Sequence, residues 1–279
     1  MIYTSILPEV EVHYSETLPK IQTPVYSGEN FRVNQSEFVL FAPGVGDFYV
    51  RKGKEVTFSI HPGADEGWVR LYLNGQVAVA LLHQRKILSF HASSFDYDGR
   101  GVMVLGESGA GKSSLTASYV LSGAGLLTDD VTPVVLIDTV PNIRPLHGSI
   151  RIRKHTAEQL DIDPRKLMDA EAGSEKKYLK VGAREVADIP LHLILKIEVG
   201  TVIKPVFDEP LIAEKFSLLR SEVCMWEILA GMPETETDYL QQLVQIIGQI
   251  RFVRVVRPAK ITIADFHSAI DSYIKAGPH

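Results

Sequence analysis

Apolar and polar positions alternate through the first third of the chain. Val56, Phe58 and Ile60 are separated by polar residues, as are Val69, Leu71 and Leu73, and a period of two predicts short strands from Phe31 to about Leu82. Asn74-Gly75 stands between residues 69–73 and 77–81. Both residues tolerate positive φ, so a two-residue hairpin is predicted there. Pro24, Pro43 and Pro62 fall between the alternating runs, as suits residues that cannot donate to a strand ladder. The pattern changes after His83. Residues 87–95 and 101–105 are apolar runs separated by the turn Asp96-Tyr97-Asp98-Gly99, and a helix-forming stretch over 112–121 ends at Gly123. Residues 125–127, 131–137 and 191–199 predict further buried strands. The tail predicts helices over 222–232 and 237–247, with Trp226, Ile228, Leu229, Met232, Leu240, Leu243, Val244 and Ile247 filling core or a subunit contact. A strand over 252–256 follows, then a helix from Thr262, which has capping-box spacing with Asp265. The organisation expected is a β-rich portion over 1–84 packed on an α/β domain over 85–279. The charged segment 169–182 is expected to be a mobile loop.

Composition narrows the function classes. The 279 residues, 45% hydrophobic and 23% charged, suffice for a sizeable core, and no apolar run approaches the ~18 residues of a membrane span. The first dozen residues lack a basic start and an apolar block, so no secretory signal is read and a cytoplasmic location is expected. The single cysteine, Cys224, excludes an intrachain disulfide and a cysteine zinc site, and is read as a buried thiol. His147, His155, His192 and His267 lack the spacing of a zinc helix. With 29 basic against 34 acidic residues the net charge is −5, so no global positive field attracts nucleic acid. An anion site must therefore be built locally.

One stretch builds such a site. Gly106-Glu107-Ser108-Gly109-Ala110-Gly111-Lys112-Ser113, followed by Ser114, satisfies the phosphate-loop pattern and lies between the apolar run 102–105 and the predicted helix. Glycines let successive amides converge on phosphate oxygens, and the helix adds its unpaired NH groups. Gly106, Ser108, Gly109, Ala110, Gly111, Lys112, Ser113 and Ser114 are thus expected to hold a nucleoside triphosphate, with Lys112 on the β and γ phosphates and Ser113 on magnesium. Asp129-Asp130 follows by one short strand; a carboxylate there can reach the metal while its neighbour accepts a proton from an attacking hydroxyl. His91 precedes the loop by one hairpin and could tune a carboxylate.

His91-Ala92-Ser93, Asp98-Gly99-Arg100-Gly101-Val102, the phosphate loop, Gly123 and Leu126-Leu127-Thr128-Asp129-Asp130 together resemble the catalytic domain of HPr kinase/phosphorylase and its relatives, over about residues 87–135. The resemblance implies a P-loop kinase fold of the phosphoenolpyruvate carboxykinase type, with ATP and Mg2+ as cofactors and a serine hydroxyl as acceptor. It implies Asp129 as base with His91 close by, and Asp130 assisting Ser113 at magnesium. The chain lacks the Pro-Gly-Arg-Asn signature of the HPr enzymes, and its first third resembles the β-rich lead-in of shorter relatives rather than their regulatory domain. Some relatives tailor peptides, including kinases of the terminal serine of lasso-peptide precursors, so a peptide or small protein is the expected partner. Hexamers in that family make a homo-oligomer an open expectation.

Two basic groups complete the reading. Lys176, Lys177, Lys180 and Arg184 could fold over the triphosphate, with Lys177 the choice for the catalytic cation. Arg144, Arg151, Arg153, Lys154 and His155, without interleaved aromatics, suit a carboxylate or phosphate surface better than an RNA platform. A small-molecule kinase and a nucleotide-gated binding module are the alternative functions. No Asn-Lys-x-Asp segment points to guanine.

Overall fold

The computed structural model describes residues 3, 5–146, 148–181 and 187–277. His147, Gly182 and Arg184 lie outside these. The chain divides into two units: Met1–Ser89 with Glu171–Gly173 and Val223–Val244, and Phe90–Ala170 with Ser174–Glu222 and Gln245–His279. The division thus falls five residues beyond the position read from the sequence, and two later segments return to the first unit.

The first unit carries a six-stranded sheet of β1 (Glu11–Tyr14), β2 (Tyr26–Ser27), β3 (Phe31–Val33), β4 (Glu37–Ala42), β5 (Gly46–Arg51) and β6 (Glu55–Ile60), in the order β1-β6-β5-β4-β3-β2. Strands β2 to β6 form an antiparallel meander and β1 joins β6 in parallel. The alternation is real here: Val56 and Phe58 of β6 are buried, and Phe48 stacks between Phe58 and Tyr72.

The predicted hairpin at Asn74-Gly75 is absent. Residues 66–84 are helical instead: α1 (Glu66–Tyr72), one wider π turn at Leu73–Val77, and α2 (Ala78–Gln84). Asp65 caps the start by accepting from the Trp68 amide, 3.2 Å away. Val69, Leu73, Val77 and Leu81 recur every four residues and are all buried, so a helical stripe outcompetes the coincidental period of two. The helix expected over 222–232 is likewise reduced to a 3-10 turn, Trp226–Gly231, entered through Met225 at φ +47°. Ile228, Leu229 and Met232 fill core as expected, and so does Leu243 of α6 (Pro233–Gln249; α3 to α5 are placed below), whereas Leu240 and Val244 face solvent. Cys224 is a free, buried thiol.

The chain leaves this unit through β7 (Leu88–Phe90). In the second unit β8 (Ser93–Tyr97) and β9 (Arg100–Gly106) form a hairpin closed by Asp98 and Gly99, both at positive φ, with Asp96 Oδ1 accepting from the Gly99 amide. The phosphate loop leads into α3 (Lys112–Leu121), whose end is Gly123 at φ +107°. Strand β10 (Gly125–Thr128) then pairs antiparallel with β8, and β11 (Thr132–Ile137) pairs with β12 (Val140–Ile143). The long β16 (Ile189–Gly200) runs parallel to both β9 and β18 (Arg251–Pro258), and β17 (Val206–Asp208) closes the outer edge of β18. Helix α7 (Ile263–Ala276) starts at Thr262, which caps the Asp265 amide. Phe95, Val104, Leu115, Tyr119, Leu195, Val255 and Ile270 form the core between this sheet and helices α3 and α7. A second, three-stranded sheet is made of β13 (Ser149–Arg153), β14 (Leu167–Asp169) and β15 (Lys176–Lys180). Within the expected loop at 169–182, Asp169 and Lys176–Lys180 are therefore strand, and 170–175 form the turn that joins β14 to β15. The remaining helices are α4 (Lys154–Gln159) and α5 (Ile212–Ser221). Among the described residues no helix is long and apolar enough to cross a membrane.

Candidate active site

The phosphate loop leaves β9 at a residue where only glycine fits. Gly106 has φ +149°, and a Cβ there would stand 2.7 Å from the carbonyl oxygen of Ile197 on the neighbouring strand. Gly109 (φ +87°) and Gly111 (φ +107°) continue the curl. The loop closes on itself through the Ala110 amide, which donates to the Glu107 carbonyl at 3.0 Å. From outside, Arg257 at the end of β18 donates to the Ala110 carbonyl at 2.8 Å. That brace is a long-range contact with no local signal in the sequence.

Lys112 is buried, and its ammonium donates to the Gly106 carbonyl at 2.6 Å. Burial pushes its pKa down, while the charges of Glu222, Asp130 and Asp129 hold it up. Ser108, Gly109, Gly111, Lys112, Ser113 and Ser114 line a cavity of about 130 Å³, and Glu107 joins them. Gly106 and Ala110 lie beneath its floor: Ala110 is buried, and the Gly106 carbonyl is occupied by Lys112.

The two adjacent acids point to different places. Asp129 is buried and both its oxygens are filled: Oδ1 accepts from Ser93 Oγ and from Ser113 Oγ at 2.8 Å, and Oδ2 accepts from the Arg151 amide at 2.7 Å. Burial and the neighbouring Asp130 charge raise its pKa to about 6 against the pull of these three hydrogen bonds. Asp130, in the left-handed region at φ +67°, turns the other way and lines the cavity. The acid on the cavity wall is therefore Asp130, and the acid bonded to the Ser113 hydroxyl is Asp129.

His91 also lines the cavity, where its ring reaches solvent. Burial among protein groups lowers its pKa, as does Lys112, while Asp130 and Glu222 pull it up. Its amide donates to the Glu222 carbonyl at 2.7 Å, and the Glu222 carboxylate pairs with Lys196 of β16 in a buried ion pair. Neither Lys196 nor Glu222 stood out in the sequence, because the strand and helix end that bring them together are far apart in the chain.

The basic groups sort by strand register. Arg151, Arg153, His155 and Lys176 line the cavity. Lys177, expected as the catalytic cation, lies on the opposite side of β15 and pairs with Asp169. Arg144 is held by Asp188 at 2.7 Å, away from the cavity. Among the described residues no group of three or more histidine, cysteine, aspartate or glutamate side chains could cage a metal ion. A magnesium ion asks for less, since it commonly takes one or two carboxylates and completes its shell with phosphates and water. The Ser113 hydroxyl on the cavity wall, oriented by the Asp129 carboxylate behind it, fits that demand.

No protein-family model matches the chain. It is similar to an HPr kinase/phosphorylase of Aromatoleum aromaticum, 26% identical over 163 residues that cover 50% of each protein. It is also similar to an HPr kinase/phosphorylase of an Azoarcus species, 36% identical over 90 residues, 30% of this chain and 26% of the relative. The matched stretches thus span half or less of these relatives. Among solved structures, the Hpr(Ser) kinase/phosphatase from Coxiella burnetii aligns over 67% of this chain and 91% of its own, at 14% identity and a TM-score of 0.35. The expected likeness to HPr kinase-like proteins is thus found among the curated relatives.

Proposed function

We propose that the chain is an ATP- and magnesium-dependent kinase that transfers the γ-phosphoryl group to a serine hydroxyl of a peptide or small protein. The observation that carries this reading is one cavity holding both a phosphate cradle with its lysine and, on its wall, the carboxylate of Asp130 beside His91. Similarity to HPr kinase/phosphorylases supports it. Loop amides and Lys112 would hold the β and γ phosphates, and Ser113, oriented by Asp129, would help to hold magnesium, which when bound neutralises charge on those phosphates. Asp130 orients the acceptor hydroxyl and takes its proton as the oxygen–phosphorus bond forms; the bond from phosphorus to the β-phosphate oxygen breaks and ADP leaves. Arg151, Arg153 and Lys176 face the charge that spreads over the transferring group. An acceptor of the lasso-precursor type, with a serine at a flexible peptide end, fits this reading.

The experiment is transfer of labelled phosphate to serine peptides by two variants. Asp130→Asn is expected to bind nucleotide normally and lose about 10²–10⁴ in turnover, the usual worth of a general base. Asp129→Asn is expected to raise the magnesium concentration needed for half-maximal transfer. Full turnover by Asp130→Asn would remove it from the base role and return that role to Asp129.

A further inference from the structure

The period of two sorts the small sheet onto two faces. Ile150, Ile152 and Leu179 face inward with Ala117 and Ala157. The cross-strand pairs Ser149↔Lys180, Arg151↔Tyr178 and Arg153↔Lys176 share the other face, with Met168 opposite Tyr178. Three of these cations, Arg151, Arg153 and Lys176, are also walls of the active-site cavity. The fourth, Lys180, is exposed and lies beyond it. The one acid within the three strands, Asp169, is on the opposite face with Lys177. This face therefore carries four cations and, among the described residues of its strands, no carboxylate, although the chain as a whole is at −5.

We propose that this face docks an acidic segment of the acceptor polypeptide and leads its hydroxyl into the cavity beside Asp130. The inference rests on the kinase reading above and adds the chemistry of the acceptor. The argument is charge complementarity combined with continuity. The cations span the five residues of β15 from Lys176 to Lys180, about 13 Å at strand spacing, and so match a few consecutive acidic residues. A triphosphate held by the loop would take the loop end of the cavity, and Lys180 is not among the cavity's lining residues. A uniformly charged nucleic acid fits less well. Tyr178 is the one aromatic on these strands, so a stack of bases has a single platform, and the net-negative remainder of the chain repels a long polyanion.

The test uses three fluorescent peptides of equal length, each with one serine flanked by glutamates, glutamines or lysines, and the full chain with ATP and magnesium. Binding is read by anisotropy and transfer by labelled phosphate. The glutamate peptide is expected to bind about tenfold tighter than the glutamine peptide at low salt, with the gap closing near ~0.5 M salt. Lys180→Glu should weaken that binding about fivefold and Lys180→Ala by less, with nucleotide affinity unchanged in both. Equal binding of the three peptides, indifference to Lys180, or stronger competition by an oligonucleotide of equal charge would each overturn the proposal. If the glutamate peptide binds through Lys180 and receives no phosphate, the docking face stands and the serine-kinase reading falls. Phosphate on all three peptides alike, without dependence on Lys180, has the opposite meaning.

Discussion

Alanine placed at Gly109 and at Gly106 separates two demands that the phosphate loop makes on its backbone. At Gly109 the residue sits at φ +87° and an added Cβ would meet nothing within 4 Å. Its cost is conformational alone, about 1–2 kcal/mol for an L-residue in the left-handed region. Because this part of the loop is solvent-exposed, the free protein can relax it, and the cost reappears when phosphate demands the curled form. That is a loss of about five- to thirtyfold in nucleotide affinity. At Gly106 the backbone is also in a glycine region, at φ +149°, but a Cβ would stand 2.7 Å from the Ile197 carbonyl and 3.1 Å from Ala110 Cβ. Ile197 is held in the ladder with β9 on one side and β18 on the other, so it cannot retreat. Overpacking adds about 1–3 kcal/mol, for a total of about 2–5 kcal/mol that falls on folding as well as on binding. Circular dichroism through a urea titration reads the folding part, and calorimetric titration with ATP reads the binding part. Gly109→Ala should keep its urea midpoint and lose affinity; Gly106→Ala should lose both. A Gly106→Ala protein as stable as Gly109→Ala, or an unchanged ATP affinity in Gly109→Ala, would refute this account of the loop.

Two further outcomes test the first unit. Gly75 lies in the helical stretch with open space around its Cα, so Gly75→Ala is expected to stabilise the protein by about 0.5–1 kcal/mol in urea denaturation; a hairpin turn at this position would make the same change destabilising. His83 is fully buried, with Nδ1 2.9 Å from the Tyr239 hydroxyl and Nε2 2.9 Å from the Cys224 carbonyl, and burial lowers its pKa from 6.5 to about 4. The unfolded chain therefore takes up a proton that the folded protein refuses between those values. The resulting stabilisation is complete above pH 6.5 and declines as pH falls toward 4, by up to about 3 kcal/mol. In His83→Gln the midpoint should lose this part of its acid-side slope, and an unaltered slope would show that His83 is not the group responsible.

How much of this could be read in the chain depends on the range over which each feature is determined. The phosphate loop was legible because its glycines answer local backbone demands, and the strand and helix around it carry their own patterns. The hairpin at Asn74-Gly75 was a misreading of two signals that coexist. Val69, Leu71 and Leu73 fit a strand, Val69, Leu73, Val77 and Leu81 fit a helix, and the asparagine-glycine pair favoured the first. Packing decided otherwise, because the helical set buries four side chains on one stripe. Lys176 and Lys177 differ only by which face of β15 they occupy, and that phase is set by pairing with Arg153 and Ile152. Asp129 and Asp130 part company because one residue is in the left-handed region, and because Ser93, Ser113 and the Arg151 amide converge on Asp129 from three separate elements. An acidic dipeptide announces a site; which of its members faces the cavity is a tertiary fact.

The buried pair Lys196–Glu222 belongs to the same argument. Burying two charges costs several kcal/mol per ion before their attraction is counted, so such a pair is poor evidence for stability alone. Its position gives it another use. Glu222 is the leading charge that keeps Lys112 protonated against desolvation, Lys196 opposes it, and the Glu222 carbonyl fixes the backbone of His91. Desolvation pulls the Lys112 pKa down, and the charges of Glu222, Asp130 and Asp129 work against that pull. A hydrophobic replacement of the pair could fold as well, but it would remove the anion nearest in effect to Lys112 and loosen the strand end that carries His91.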